Sequence, residues 1–204
     1  MSDRSVPDRI AELSAAIADL EAGRSGRGGF ADQLRWEELK LPVRNRALTL
    51  LEQRPRSTAE LTQRLLAAEY PRALVEEVIG DLTRVGMLDD ERFAREWVRQ
   101  RAVARKKSAR ALDAELRDKG IAEDLRRRAL EQLTAADAAV TVRQLCAKKA
   151  RQLRTIPTTW QEKQKALAKI AGMPARRGFP PDLCMNLARE ALAARVAELG
   201  PEEH

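Results

Sequence analysis

The sequence contains few of the residues on which most catalytic and metal sites depend. It has a single histidine, His204, and two cysteines, Cys146 and Cys184, that form no CxxC pair. Histidine is the usual general acid–base and a frequent metal ligand, so chemistry of both kinds is disfavoured. No glycine-rich phosphate-binding loop is present either. We therefore expect a protein that is not an enzyme and that holds neither a metal nor another cofactor.

Aromatic residues and long apolar runs are also scarce. Aromatics make up 3% of the chain, whereas Ala, Leu, Arg and Glu dominate, which favours helices throughout. No apolar run reaches the roughly 18 residues of a membrane span, and no signal peptide is recognisable. Two cysteines without a disulfide framework are typical of a reducing compartment. These features predict an all-α, soluble, cytoplasmic protein that does not bind membranes.

The strongest positive feature is a helical pattern that recurs along the chain. The segment 60–82 is repeated at 111–133, 51 residues later, so that Leu61 corresponds to Leu112. A weaker third copy follows 58 residues further on and includes Phe179. This period predicts three tandem three-helix repeats stacked into an elongated, curved array, and no surplus apolar stripe argues against a monomer. The repeats are expected at 43–88, 89–134 and 135–204.

Capping residues and helix breakers predict the helices of the first two repeats. In repeat one, Ser57 with Glu60 forms a capping box, Pro71 precedes the third helix and Gly86 ends it. In repeat two, Asp89 or Asp90 caps the first helix, a role that we prefer to a Mg²⁺ site because adjacent carboxylates point to different faces. The remaining signals of repeat two are Ser108 as a cap, Gly120 as a helix end and a third helix over 122–134.

The third repeat and the N-terminal extension are less regular. Repeat three is expected to begin near Ala135, to break at 155–159 and again at Gly172, Pro174 and Gly178, and to close with a helix over 181–199. The extension, residues 1–42, combines three parts. These are an amphipathic helix over 8–22, a Gly/Ser-rich linker over 23–29 and a short segment over 30–41 that packs on repeat one.

Positive charge is concentrated in the second and third repeats. Residues 91–134 carry 13 basic and 8 acidic side chains, and residues 135–204 carry 12 and 7, for a net charge of +7 in the whole chain. Such a surface attracts nucleic acid or an acidic protein groove, although it can also serve solubility alone. The candidate binding residues are Arg92, Arg95, Arg99, Arg105, Lys106, Lys107, Arg110, Arg117, Arg126, Arg127, Lys148, Lys149, Arg151, Arg176 and Arg177.

The aromatic side chains limit the kind of nucleic-acid contact. Tyr70, Phe93, Trp97 and Phe179 occupy core-periodic positions and are expected to be buried, which favours phosphate contacts over base stacking. Residues 57–88 look like the three-helix part of a winged-helix repressor. The exposed face of its last helix, however, carries Glu76, Glu77 and Asp81, so we expect no base reading by repeat one.

Two segments resemble the central signature of the RecX family. They are GMLDDERFAREWVRQR (86–101) and LDAELRDKGI (112–121), and residues 47–65 and 176–192 resemble the first and third repeats of that family. The matching positions, with a mainly structural role, are Gly86, Leu88, Asp89, Asp90, Phe93, Ala94, Trp97, Val98, Arg101, Glu115, Leu116, Lys119, Gly120 and Ile121. Two departures stand out: a basic loop, Lys106-Lys107-Ser108, without the usual glycine, and the extension 1–42.

The resemblance implies a bacterial negative regulator of the RecA recombinase. Proteins of this family lie in the groove of the RecA–single-stranded DNA filament and restrain ATP hydrolysis, strand exchange and the co-protease activity that triggers the SOS response. The implied partners are therefore the RecA filament and single-stranded DNA, with duplex DNA through phosphate contacts. Two alternatives remain open: a free-standing regulator that binds naked DNA, and a protein scaffold without DNA affinity.

Overall fold

The chain folds into helices joined by short turns. The computed structural model describes residues 6–23 and 30–200, and these contain helices and no strand, which confirms the predicted all-α helical-repeat class. The helices are α1 (Val6–Gly23), α2 (Phe30–Gln53), α3 (Thr58–Leu66), α4 (Arg72–Arg84), α5 (Asp90–Arg105), α6 (Ala109–Asp118), α7 (Glu123–Leu130), α8 (Ala135–Ala150), α9 (Trp160–Ala175) and α10 (Pro181–Leu199).

The helices form two compact units. Unit one contains the described residues up to Phe93 together with Lys119–Ile121, and unit two contains Ala94–Asp118 and the described residues from Ala122 onwards. The core of unit one is formed by apolar side chains of α1 to α4, and α8, α9 and α10 enclose a core in unit two. The division into three repeats at 43–88, 89–134 and 135–204 remains a prediction.

In unit one, the amphipathic helix predicted near the N-terminus contributes to the core, because α1 buries Leu13 and Ile17 there. The next two predicted pieces are one helix: α2 continues through Pro42 instead of ending before repeat one. A proline removes one backbone hydrogen bond and strains the turn before it. Packing compensates for this, since Val43 and Ala47 immediately beyond the proline are fully buried. Most of the predicted linker, residues 24–29, lies outside the described part of the chain.

The predicted helix ends in the middle of the chain are confirmed by the hydrogen bonds at α3. The Ser57 hydroxyl accepts a hydrogen bond from the Glu60 backbone N–H at 3.1 Å and so caps α3. The reciprocal half of the predicted capping box does not form, because the Glu60 carboxylate pairs with basic side chains instead of the Ser57 N–H. These side chains are Arg54, Arg56 and Lys119. Helix α4 begins directly after Pro71 and ends before Gly86.

The third helix of repeat two is shorter than predicted. It ends at Leu130 rather than 134, because Thr134 forms a capping box with Asp137 at the start of α8.

Helix α9 does not break at Gly172 or Pro174, where the sequence predicted breaks, whereas the break predicted at Gly178 is confirmed. It continues through Gly172 and Pro174 to Ala175, and the chain turns only at Gly178, which has φ +84°. Pro174 lies in the last turn of the helix, where it removes the backbone hydrogen bond that its position would donate to the carbonyl of Ile170, and its side chain is buried. Burial in the unit-two core therefore outweighs the helix-breaking tendency of the proline.

One junction occurs twice in the molecule, in the register of the repeats. In unit one, the Ser57 hydroxyl donates a hydrogen bond to the Lys119 carbonyl at 2.6 Å, beside Gly120. In unit two, the Ser108 backbone N–H donates to the Arg177 carbonyl at 3.0 Å, beside Gly178. Ser57 and Ser108 cap α3 and α6, and Gly120 and Gly178 follow the ends of α6 and α9. The second junction fixes the basic turn between α5 and α6.

Candidate interface around the α5–α6 turn

The turn between α5 and α6 carries the densest positive charge of the chain and is tightly held. Lys106 adopts φ +49°, in the left-handed region, and its ammonium lies 2.6 Å from Oε1 of Gln144 on α8. The side chain of Ser108 accepts a hydrogen bond from the Ala111 N–H at 3.2 Å and caps α6, as predicted. The turn therefore has a defined conformation before any partner binds.

A cluster of signature residues ties the turn to the helices on either side. Glu115 accepts a hydrogen bond from the Trp97 indole N–H at 2.9 Å and forms an ion pair with Lys107. The Arg101 guanidinium lies 3.7 Å from the centre of the Trp97 ring and 3.5 Å from Oε2 of Glu115. Burial would raise the pKa of Glu115, but the hydrogen bonds from Lys107 and Trp97 outweigh it and lower the pKa. Because Arg101 covers its ring and Glu115 binds its indole N–H, Trp97 has a packing role and is not a stacking surface for a base.

The signature aspartates each hold the start of a helix. Oδ1 of Asp89 accepts a hydrogen bond from the Arg92 N–H at 2.9 Å, which caps α5, and Oδ1 of Asp90 accepts one from the Thr58 N–H at 2.8 Å. Both contacts satisfy N–H groups that helix geometry leaves unpaired. Across residues 6–23 and 30–200, no group of three metal-ligating side chains comes together.

The structure separates the predicted basic residues into two groups. The first group is exposed to solvent: Arg92 in unit one, and Arg95, Arg99, Arg105, Arg110, Arg117, Arg127, Lys148, Arg151 and Arg176 in unit two. The second group is only partly exposed and is engaged in intramolecular contacts: Lys106, Lys107, Arg126, Lys149 and Arg177.

Two residues of the second group make contacts that hold the fold. Arg126 forms an ion pair with Asp113 at 2.9 Å, and Arg177 donates hydrogen bonds to the carbonyls of Arg105 and Met173 at 3.3 and 3.1 Å. Each contact joins residues distant in sequence or closes a helix end. A local charge pattern gives no sign of such pairing.

Burial of the aromatic side chains follows the prediction in part. Phe93 and Phe179 are buried, as expected, but Tyr70 and Trp97 are only partly so. Trp160 was not predicted to be special and is 73% exposed at the first position of α9. The sequence signal that could have indicated its exposure is its position directly after the Thr159 cap, where it does not follow the spacing of the core-facing residues of α9.

The two cysteines lie in the unit-two core as free thiols. Both are buried, and the Cys146 sulfur lies 4.0 Å from the Cys184 carbonyl oxygen. Burial, with a smaller contribution from the Cys184 thiol, raises the pKa of Cys146 to about 11. Burial also raises the pKa of Cys184. Thiols with raised pKa values are poor nucleophiles at neutral pH, which fits a packing role.

Comparison with known proteins identifies the family. Two family models match the chain: "RecX, first three-helix domain" over residues 44–82 and "RecX, second three-helix domain" over residues 89–130. Regulatory protein RecX of Corynebacterium efficiens is 51% identical over 163 residues, which cover 80% of this chain and 78% of that protein. The chain belongs to the RecX family. Regulatory protein RecX of Thermobifida fusca is 36% identical over 97% of this chain and 100% of its own length.

The RecX fold is shared with solved structures. A crystal structure of RecX from Lactobacillus salivarius superposes with a TM-score of 0.63 at 22% identity, covering 74% of this chain and 96% of that one. In this RecX chain Lys106 lies in the basic turn, and its positive φ is the conformation that a glycine favours. No helix within the described ranges is long and apolar enough to cross a membrane.

Proposed function

We propose that this RecX protein is a negative regulator of RecA that acts as a cytoplasmic monomer. It binds in the helical groove of the RecA–single-stranded DNA filament and restrains ATP hydrolysis, strand exchange and the co-protease activity that triggers the SOS response. Family membership supports a regulatory role. The observation that carries the rest of the proposal is the fixed basic turn between α5 and α6.

The turn presents two cations that are not used in ion pairs or hydrogen bonds within the described part of the chain. Arg105 ends α5 and Arg110 lies in the first turn of α6, and both are exposed. Within the described chain, neither guanidinium forms an ion pair or a hydrogen bond. The backbone between them is held by the contacts of Lys106, Lys107 and Ser108. Because the backbone geometry exists before binding, contact with phosphates or carboxylates requires ordering of the two arginine side chains only.

Inhibition then follows because the protein binds one conformation of the filament in preference to the others. ATP hydrolysis and strand exchange require the filament to change state, and a ligand that prefers one state shifts the population towards it. Contacts between surface guanidinium groups and phosphates or carboxylates are screened by salt. We therefore expect inhibition to weaken as ionic strength rises.

The test compares two double variants with the same change in charge. Arg105→Glu with Arg110→Glu reverses the cations of the turn, whereas Arg35→Glu with Arg46→Glu reverses two exposed cations of α2 in unit one. RecA ATPase on single-stranded DNA is titrated with each folded protein at fixed salt. We expect the first variant to need at least tenfold more protein for half-inhibition and the control to match wild type. Equal inhibition by both variants would overturn the proposed role of the turn.

A free-standing DNA-binding regulator is the second candidate, because the same exposed guanidinium groups can meet the phosphates of naked DNA. Binding of the wild-type protein to the same single strand and to a duplex, without RecA, separates the two functions. Inhibition of RecA at concentrations well below those needed for naked DNA supports the filament regulator. Tight binding to naked DNA without inhibition of RecA supports the second candidate.

A further inference from the structure

Unit two contains an apolar groove beside the basic turn. Its volume is about 770 Å³, within the roughly 300–1,000 Å³ range of ligand sites in proteins. Residues of α5, the α5–α6 turn, the turn before α8, α8 itself and the turn that leads into the start of α10 line it, among them Val103, Leu133, Val140 and Pro181. Val103 is 76% exposed and Val140 50% exposed, so this lining faces solvent.

The walls of the groove are held in place by contacts already described. The Ser108 N–H bonds to the Arg177 carbonyl, which joins the basic turn to the turn that ends α9. A Cβ built on Gly178 would stand 2.6 Å from Oγ of Ser108, so the two turns touch as closely as a glycine permits. Lys106 reaches Gln144 on α8. The groove is therefore a formed feature of unit two, not a gap left by a loose loop.

Positively charged side chains outnumber negatively charged ones around the groove. Arg99, Lys106, Lys107 and Arg110 line it, and Asp137 is the acidic residue of the lining. The Asp137 carboxylate is already occupied, since it accepts hydrogen bonds from the N–H and hydroxyl of Thr134. Arg99 and Lys107 are paired with Glu96 and Glu115. Arg110 and Lys106 remain without a carboxylate partner, so an occupant with acidic groups is complementary.

The lining favours a protein segment over DNA. Phosphates would satisfy the cations but would leave the valine, leucine and proline surface without an apolar partner. Bases usually stack on exposed aromatic rings, and the aromatic residue that lines the groove, Phe179, is buried. Aliphatic side chains flanked by carboxylates match both properties, in the manner of a helix whose spaced anchors enter a groove.

We propose that this groove binds a short protein segment in which aliphatic side chains at helical spacing are interspersed with carboxylates. The inference shares the basic turn with the proposed function, but it concerns the apolar lining and does not require RecA. Binding would bury Val103 and Val140 and place the carboxylates of the segment near Arg110 and Lys106. Apolar contact supplies most of the affinity, and the charges select the sign of the partner.

The test uses the full chain and a fluorescein-labelled probe peptide, Asp-Glu-Leu-Asp-Glu-Leu-Leu-Asp-Glu, in fluorescence anisotropy. Two control peptides replace the leucines with serine, or the carboxylates with their amides. We expect saturable binding of the probe and at least tenfold weaker binding of each control. Absence of saturable binding, or equal binding of all three peptides, overturns the proposal.

Protein variants locate the site and separate it from DNA binding. Val103→Gln with Val140→Gln should weaken probe binding at least tenfold, and Arg110→Gln at least threefold. Val85→Gln, at a residue 67% exposed in unit one, should leave it unchanged. If the paired valine change weakens binding of a 30-nucleotide oligo-dT and not of the peptide, the groove is a DNA site and the proposal falls.

RecA inhibition and probe binding, measured side by side on the wild-type chain and on the paired valine variant, distinguish this inference from the proposed function. If the wild-type chain inhibits RecA ATPase but does not bind the probe, the groove inference fails alone. If it binds the probe through Val103 and Val140 but does not inhibit RecA, the proposed function fails and the groove inference stands.

Discussion

A Cβ built on Gly120 would stand 2.4 Å from the Cβ of Ala59, a distance that two carbon atoms cannot share without a shift. Gly120 also has φ +72°, in the region that disfavours other residues. Steric contact and backbone strain therefore act together at this position. They explain why the chain needs glycine where the segment Lys119–Ile121 meets the start of α3 within unit one.

We expect Gly120→Ala to reduce the free energy of unfolding by about 2–4 kcal/mol, through overpacking and a strained φ. Urea denaturation measures the change. Gly80→Ala is the control, because Gly80 lies in α4 with nothing within 4 Å of its Cβ position, and there alanine should stabilise by up to about 1 kcal/mol. Ala59→Gly should restore about 1–2 kcal/mol to the Gly120→Ala variant. Strict additivity of the two changes would show that the two Cβ atoms do not clash.

The Ser57 hydroxyl serves the same junction with two hydrogen bonds, one from the Glu60 N–H and one to the Lys119 carbonyl. The residue is fully buried, so alanine would leave both groups without water to replace the serine. We expect Ser57→Ala to reduce the free energy of unfolding by about 2–3 kcal/mol, above the cost of an ordinary cap. Ser14→Ala on the exposed side of α1 should change it by less than about 0.5 kcal/mol. Equal effects in chemical denaturation would refute this assignment.

Glu60 makes stability depend on pH. Burial would raise its pKa, but hydrogen bonds from Arg54 and Lys119 outweigh burial and lower the pKa to about 2, below its usual 4.5. A lowered folded-state pKa stabilises the protein above pH 4.5, and this stabilisation is lost as pH falls towards 2. We expect Glu60→Gln to cost about 3 kcal/mol at pH 7 and much less near pH 2.

Urea denaturation of Glu60→Gln and wild type at pH 7, 4.5, 3 and 2 measures this difference. Glu52→Gln, at an exposed position of α2, is the matched control and should give a difference close to zero at each pH. A Glu60→Gln deficit that stays constant between pH 4.5 and 2 would contradict the role of the carboxylate charge.

Lys106 carries strain that a glycine would relieve. Its φ of +49° costs a residue with a Cβ about 1–2 kcal/mol. Lys106→Ala and Lys106→Gly both remove the ammonium and its contact with Gln144, so their comparison isolates the backbone. Thermal or urea denaturation should find the glycine variant more stable than the alanine variant by about 1 kcal/mol. An alanine variant of equal or greater stability would show that the left-handed conformation is not populated in solution.

Local signals in the sequence determined the helices and their register. Two leucine pairs of the 51-residue offset, Leu61 with Leu112 and Leu65 with Leu116, are fully buried, whereas Leu125 and Leu133 are only partly buried. Ser57 and Ser108 both cap helices as predicted. Helical period, capping and turn residues act over a few neighbours, so the sequence alone reveals them. Errors arose where distant packing overrode a local preference, at Pro42 and Pro174, which lie inside helices.

Long-range packing selects which basic side chains are available for a partner. Arg110, Arg126 and Arg177 look alike in the sequence, yet Arg126 pairs with Asp113, Arg177 holds the carbonyl of Arg105, and Arg110 remains exposed. The groove lined by Val103 and Val140 is likewise invisible in the sequence, because its walls come from segments up to about eighty positions apart. Such contacts depend on the arrangement of whole helices, and no short stretch of sequence encodes that arrangement.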